Sequence, residues 1–234
     1  MKHFCLKTVT CSLIMILMMI TASVGSESKD EPPEHQESIV IRIGVMPFFV
    51  GRADGSVDEA LDKTLSCSVS QLCYEEVNLK TDASNVLTRS VNRELEVQIE
   101  EMLIPPDEVL ASYDKIMQTQ DTDTIRSLAQ KLGVDLNAQK VVVGIVWRYR
   151  QRGEVADYSG TSPASVAFAV YLVDVDTGKR EWRGVFDKTQ RALSDNVAEF
   201  KNFFKMGVKC ITAEELARFG VRQVFKKFPS IMDS

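Results

Sequence analysis

The chain has 234 residues, of which 44% are hydrophobic and 26% charged, and its formal net charge is −5. Those are ordinary proportions for a soluble globular protein within reach of a single domain. The acidic balance argues against a general binder of nucleic acid or anionic lipid.

The chain opens with Lys2 and Lys7, then the compact apolar run Leu13–Ile20, then the small residues Ala22–Ser26. This is the pattern of an export signal, so residues 1–26 are read as a signal peptide cut after Gly25 or Ser26. Its two lysines and absence of acids mean that cleavage takes the charge from −5 to −7. The apolar run falls short of the ~20 residues that span a bilayer. The mature chain is therefore expected to carry no transmembrane segment and to be periplasmic or secreted; retention as an uncleaved anchor is the alternative. No Cys follows the apolar core, so a lipid anchor is not supported.

ESKDEPPEHQE, residues 27–37, is acidic, contains proline and offers nothing to bury, and reads as a disordered spacer. One α/β domain is expected over 38–230. It begins with IVIRIGVMPFF, in which Ile39, Ile41, Ile43 and Val45 alternate onto one strand face. Pro47 lacks a backbone N–H, so pairing should fade there.

Asp82 and Ser84 are candidate N-caps for a helix to about Leu103, with Leu87, Val91, Leu95 and Ile99 as its buried stripe. Glu94, Glu96, Glu100 and Glu101 then form a solvated face. IPPDEVLASYDKIM starts a second helix with proline in its first turn. DTIRSLAQKLG is a third, burying Ile125, Leu128, Ala129 and Leu132, and Gly133 reads as its C-terminal stop.

KVVVGIVWRYR reads as a buried strand with Val143, Ile145, Trp147 and Tyr149 on one face. PASVAFAVYLVDVDTGKREWRGVF, residues 163–186, supplies its partners. Val166, Phe168, Val170 and Leu172 form a bulky face, and Ser165, Ala167 and Ala169 a small face suited to close approach of a helix. Asp176-Thr177-Gly178-Lys179 makes the turn, and Trp182, Gly184 and Phe186 return in register. Two helices close the chain; the last opens with the capping box Thr212 and Glu215 and buries Ala217, Val221, Val224 and Phe228. The fold class is α/β: a mixed sheet, with an antiparallel meander over about 139–189, packed by amphipathic helices.

Chemistry-bearing residues are sparse. The histidines are His3, in the signal, and His35, in the spacer, which excludes a Ser-His-Asp triad, a Cys-His pair or a histidine-rich zinc site in the domain. Gly44, Gly51 and Gly55 are too scattered to cradle phosphate, and no cofactor is expected. Asp174 and Asp176 read as turn formers in preference to a calcium loop. Asp54, Asp58 and Glu59 read as a solvated helix start in preference to a weak cation site. Trp147 and Trp182 form either a ligand platform or, more simply, core packing.

Cys5 and Cys11 leave with the signal. An exported chain can oxidise the rest, and Cys67 and Cys73 are close enough in sequence to bridge, leaving Cys210 odd. Three reduced thiols are the alternative.

AQKLGVD, residues 129–135, followed by VVVGIVWRY, resembles the helix–Gly–Asp–strand passage of the curli-assembly (CsgG-like) family. The penicillin-binding-protein activator lipoproteins and the N-terminal domain of TolB-type periplasmic proteins share it. VYLVDVDTGKREWRG, residues 170–184, is similar to the strand–turn–strand that follows in those proteins, and the opening strand ending IGVMPF also fits. PASVAF and FDKTQRALSDN look like uncharacterised bacterial envelope proteins. The resemblance implies a periplasmic, non-enzymatic domain that binds or assembles other envelope proteins and associates with the outer membrane. The missing lipobox argues against a lipid anchor, and the segment at 148–163 is too short and charged to supply channel-forming hairpins. An exported hydrolase using paired carboxylates, or a small-ligand carrier, is the alternative.

RYRQRGEVADYSG, residues 148–160, should project beyond the sheet between its two longest strands. Arg148, Arg150 and Arg152, with Tyr149 and Tyr158, make it the expected partner-binding segment, since Arg and Tyr are enriched at protein contacts. A solvated hairpin end is the alternative.

Overall fold

The computed structural model describes residues 41–73, 79, 82–118, 123–153, 162–190 and 211–230. The signal and spacer expected at 1–37, Tyr158, and the first of the two expected closing helices lie outside the described residues.

Runs that are apolar on both faces must be covered on both, and the middle of this fold obeys that demand. β3 (Lys140–Arg150) and β4 (Ser165–Asp174) are buried along almost their whole length. They pair antiparallel, and β5 (Arg180–Thr189) extends the meander on the far side of β4. On the other edge, β3 takes two short parallel partners, β1 (Ile43–Val45) and β2 (Phe49–Val50). Pro47 separates those two, and pairing resumes rather than ending. The amides of Met46 and Gly51 both donate to β3, at the carbonyls of Val142 (2.9 Å) and Val146 (2.7 Å). The sheet order is β1-β3-β4-β5, with β2 continuing along β3.

Helices cover both sides. α2 (Ala83–Ile99) and α5 (Ala213–Phe225) pack on one face, where Leu87, Val91 and Leu95 meet Val142, Val166, Phe168, Val170 and Val224. α1 (Val57–Lys63), α3 (Pro106–Met117) and α4 (Ile125–Asp135) cover the other, where Leu61, Val109, Ile125 and Leu132 meet Val141, Val143, Trp147, Ala169 and Tyr171. Each fully buried aliphatic or aromatic side chain contributes about 1.5–3 kcal/mol, so these two layers hold the domain together. The small face expected on β4 does lie under the α1/α3/α4 layer, at Ala167 and Ala169.

Local chemistry sets the ends. Thr124 Oγ1 accepts from the Ser127 amide at 3.1 Å to start α4. The capping box that opens α5 is present: Thr212 Oγ1 accepts from the Glu215 amide (3.1 Å), and Glu215 Oε2 accepts from the Thr212 amide (2.8 Å). Of the two expected N-caps of α2, Asp82 alone stands at the capping position. Asp82 makes no side-chain cap, and the Ser84 hydroxyl instead donates to the Phe48 carbonyl at 2.6 Å. That bond ties the helix to the β1–β2 connection, a use invisible in local sequence.

Two further expectations need correction. Gly133 does not end its helix, which runs on to Asp135; a side chain there would sit 2.2 Å from Val175, so glycine admits the β4–β5 hairpin against α4. Tyr149 does not share a face with Val143, Ile145 and Trp147. The register of β3 against β4 shifts between Val146 and Arg148, a bulge that reverses side-chain parity. Trp147 stays in the α1/α3/α4 core, and Tyr149 is buried in the α2/α5 core.

The turn expected at Asp176-Thr177-Gly178-Lys179 forms but begins earlier, at Val175, with Gly178 at φ 65°. Asp174 Oδ1 accepts from the Thr177 amide (2.8 Å) and hydroxyl (2.5 Å). The Thr177 hydroxyl and amide hold the Asp174 carboxyl below the usual carboxylate range. Asp174→Ala is expected to destabilise by about 1 kcal/mol near neutral pH, after discounting for solvent screening. Because the folded carboxyl titrates below the unfolded one, its stabilisation is complete above the ordinary carboxylate value and vanishes as pH falls through the folded one. Urea unfolding across acid pH should show wild type and variant converging; a constant gap would assign the loss to packing.

Candidate interaction face

The two tryptophans lie on opposite sides of the sheet: Trp147 is wholly buried in the α1/α3/α4 core, and Trp182 packs against Phe225 (5.7 Å, tilted) and Phe228 (5.2 Å, edge to face). They form no joint platform. Asp58 and Glu59 occupy the first turn of α1. Three carboxyls are held below their ordinary range by donors beside them: Asp62 by the Arg180 hydrogen bond, Asp135 by that of Lys115, Asp174 by that of Thr177. That direction is opposite to the raised value a general acid needs. Among the described residues no group of His, Cys, Asp and Glu is placed to hold a metal ion.

The expected partner-binding segment is only partly a surface. Tyr149 is 1% exposed, so its side chain belongs to the core. The bulge turns Arg148 back over the sheet, where Nε donates to Ser165 Oγ at 2.7 Å and the guanidinium pairs with Asp187. Arg150 is half-buried. Arg152 is exposed at the hairpin neck, 3.4 Å from Gln190 Oε1, and the neighbouring Gln151 Oε1 accepts from the amide of Ala213 at 2.9 Å.

A neighbouring surface was missed. Trp182, Gly184 and Phe186 of β5 turn inward beneath α5, which sends Arg183, Val185 and Asp187 to the opposite face. There the helical layer stops short. Val185 is 40% exposed, the only large hydrophobic so exposed among the described strand residues. Arg180 and Arg183 both donate to Asp62 Oδ1 of α1, at 2.8 and 2.9 Å. The result is an apolar centre rimmed by charge, in which Arg148, Arg180 and Arg183 outnumber Asp62 and Asp187. Among the described residues no strand pairs with the outer edge of β5. The signal was available: in EWRGVFD, charge, Val and charge occupy the alternate positions facing away from Trp and Phe.

Fold and surface together define a three-layer α/β domain with an exposed, arginine-rimmed edge strand. No family model matches the chain, and no curated protein matches it. Among solved structures it is similar to the PelC dodecamer from Paraburkholderia phytofirmans (13% identity, 79% of this chain and 84% of that one, TM-score 0.43). Lipoprotein GNA1162 from Neisseria meningitidis gives 16% identity over 70% of this chain and 98% of that one, with a TM-score of 0.40. The LpoB C-terminal domain from Salmonella enterica gives 16% over 64% and 83%, with a TM-score of 0.37. At such scores these likenesses assign this chain no role.

Proposed function

We propose that this chain is an exported, non-enzymatic envelope protein that acts by binding other envelope proteins, and that β5 carries the contact. The export reading rests on the basic, apolar and small-residue succession of residues 1–26. Among the described residues, no helix is long and apolar enough to cross a membrane. The observation that carries the binding reading is Val185, exposed between Arg183 and Asp187 on an edge strand. An apolar centre within a polar rim enriched in arginine is the anatomy of a protein contact. The excess of arginine over carboxylate selects a partner with an acidic surface.

A photo-crosslinking amino acid placed at Val185 should capture a discrete partner in the native envelope, while one at Val97, more exposed but on α2, should not. Changing Arg180 and Arg183 together to Glu should reduce that capture at least tenfold with circular dichroism unchanged. Equal capture from both positions, or full capture by the folded charge-reversed protein, would show that the arginines merely keep a strand edge soluble.

A further inference from the structure

β5 ends the sheet, and its backbone groups divide between two sides. The Gln190 amide donates to the Ala164 carbonyl at 2.9 Å. From that point to the pair Leu172–Trp182 the register of β4 against β5 runs without a shift. Backbone groups alternate sides along an antiparallel strand, so Gly184, Phe186 and Lys188 turn theirs toward β4. Those of Arg183, Val185 and Asp187 point to the outer edge, where, among the described residues, no strand pairs with them.

That edge is complementary to itself. Laid antiparallel on a second β5 about a twofold axis at Val185, it sets Val185 beside Val185 and Arg183 beside Asp187, the latter twice. These side chains share the face that points away from Trp182 and Phe186. The neighbouring registers lose this match. An axis at Gly184 brings Glu181 opposite Asp187, one at Arg183 brings arginine opposite arginine, and one at Phe186 brings Val185 opposite Asp187. Opposite charges across a strand pair stabilise it and like charges destabilise it, so charge selects the Val185 register. Each new pair would also extend ion pairs already present, since Asp62 holds Arg183 at 2.9 Å and Arg148 holds Asp187. The row then alternates in sign across the axis: Asp62 and Arg183 of one copy, Asp187 and Arg148 of the other.

We infer that β5 pairs antiparallel with β5 of a second copy of this chain, about a twofold axis at Val185. The opposite edge of the sheet is held by β1 and β2, of three and two residues, too short to template further strands. Association through one self-complementary edge therefore closes at two copies. The pairing lies in the plane of the sheet and leaves the Val185 face open. It thus goes beyond the envelope contact proposed above, whose apolar centre it doubles about the axis.

The test uses the purified full chain alone, so its outcome is separate from capture of a partner in the envelope. The chain is kept reduced, because Cys67, half-buried, and Cys73, exposed, are free thiols. Sedimentation equilibrium should show a concentration-dependent species of twice the chain mass. Val185→Pro removes an N–H aimed at the open edge, so it should abolish that species with circular dichroism unchanged. Arg183→Asp and Asp187→Arg should each weaken self-association about tenfold, through like charges facing across the axis. Mixed together, the two variants should recover the wild-type affinity, because each reversed charge again faces its opposite; misfolded variants would not be rescued in this way. A wild-type chain that stays monomeric at every concentration, a dimer that survives Val185→Pro, or a mixture no tighter than the separate variants would overturn the pairing.

Discussion

Replacing Phe168 with alanine is expected to destabilise the domain by about 3–5 kcal/mol, a large part of the 5–15 kcal/mol that holds most domains folded. Phe168 lies on the middle strand β4, wholly buried. Its ring is 6.3 Å from that of Phe48, edge to face, and 5.5 Å from that of Phe186, which in turn meets Phe219 of α5 at 6.3 Å. One side chain thus links the β1–β2 connection to β5 and, through Phe186, to the last helix. Truncation leaves a cavity walled by rings held in β5 and in the hydrogen-bonded β1–β2 connection, so collapse to fill it is hindered. Urea unfolding gives the value directly, and Val185→Ala, on the exposed face of β5, should move stability by less than about 0.5 kcal/mol. A loss below about 1 kcal/mol at Phe168 would show that the aromatic run does not anchor the domain.

Gly144→Ala is expected to be nearly as damaging for the opposite reason. An added methyl carbon would lie 2.2 Å from Cε2 of Phe48. Phe48 has little room to yield: its amide donates to Thr88 Oγ1 at 3.0 Å and its carbonyl accepts from Ser84 Oγ at 2.6 Å. Overpacking of this kind costs about 1–3 kcal/mol, and the pinned neighbour puts this position at the upper end. Combining Gly144→Ala with Phe48→Leu should recover part of the loss, giving a favourable coupling in a double-mutant cycle. Strictly additive losses would mean that the methyl is accommodated elsewhere.

Most of the sheet was legible because its determinants are local. Lys140–Arg150 and Ser165–Asp174 are apolar on both faces, and that alone places them in the middle of a covered sheet. The 174–179 turn and the Thr212–Glu215 capping box are written in adjacent residues. What could not be read depends on distant partners. Counting by twos put Tyr149 beside Trp147, and only the pairing of β3 with β4 reveals the extra residue that separates them. Gly133 looked like a terminator because its reason for being glycine is Val175 on another element. The exposed face of β5 escaped notice for a related cause. Arginines at 148, 150 and 152 are conspicuous together, whereas Arg180 and Arg183 gain meaning only from Asp62, which the fold brings over from α1.

The parallel pairing of Ile43 with Lys140 constrains the order in which the chain can assemble. The hairpins β3–β4 and β4–β5 join neighbours in sequence, whereas β1 has no strand to dock on until β3 has been made. Chain-closure entropy therefore favours a nucleus in the C-terminal half, with the N-terminal strand the last to dock. A chain emerging N-terminus first exposes α2, α3 and α4 before any sheet exists to receive them. During that interval Leu87, Val91, Leu95, Ile125 and Leu132 have nothing to cover them, and a holding chaperone would find its binding sites there. Pulsed hydrogen exchange during refolding should protect β4 amides well before those of Ile43–Val45.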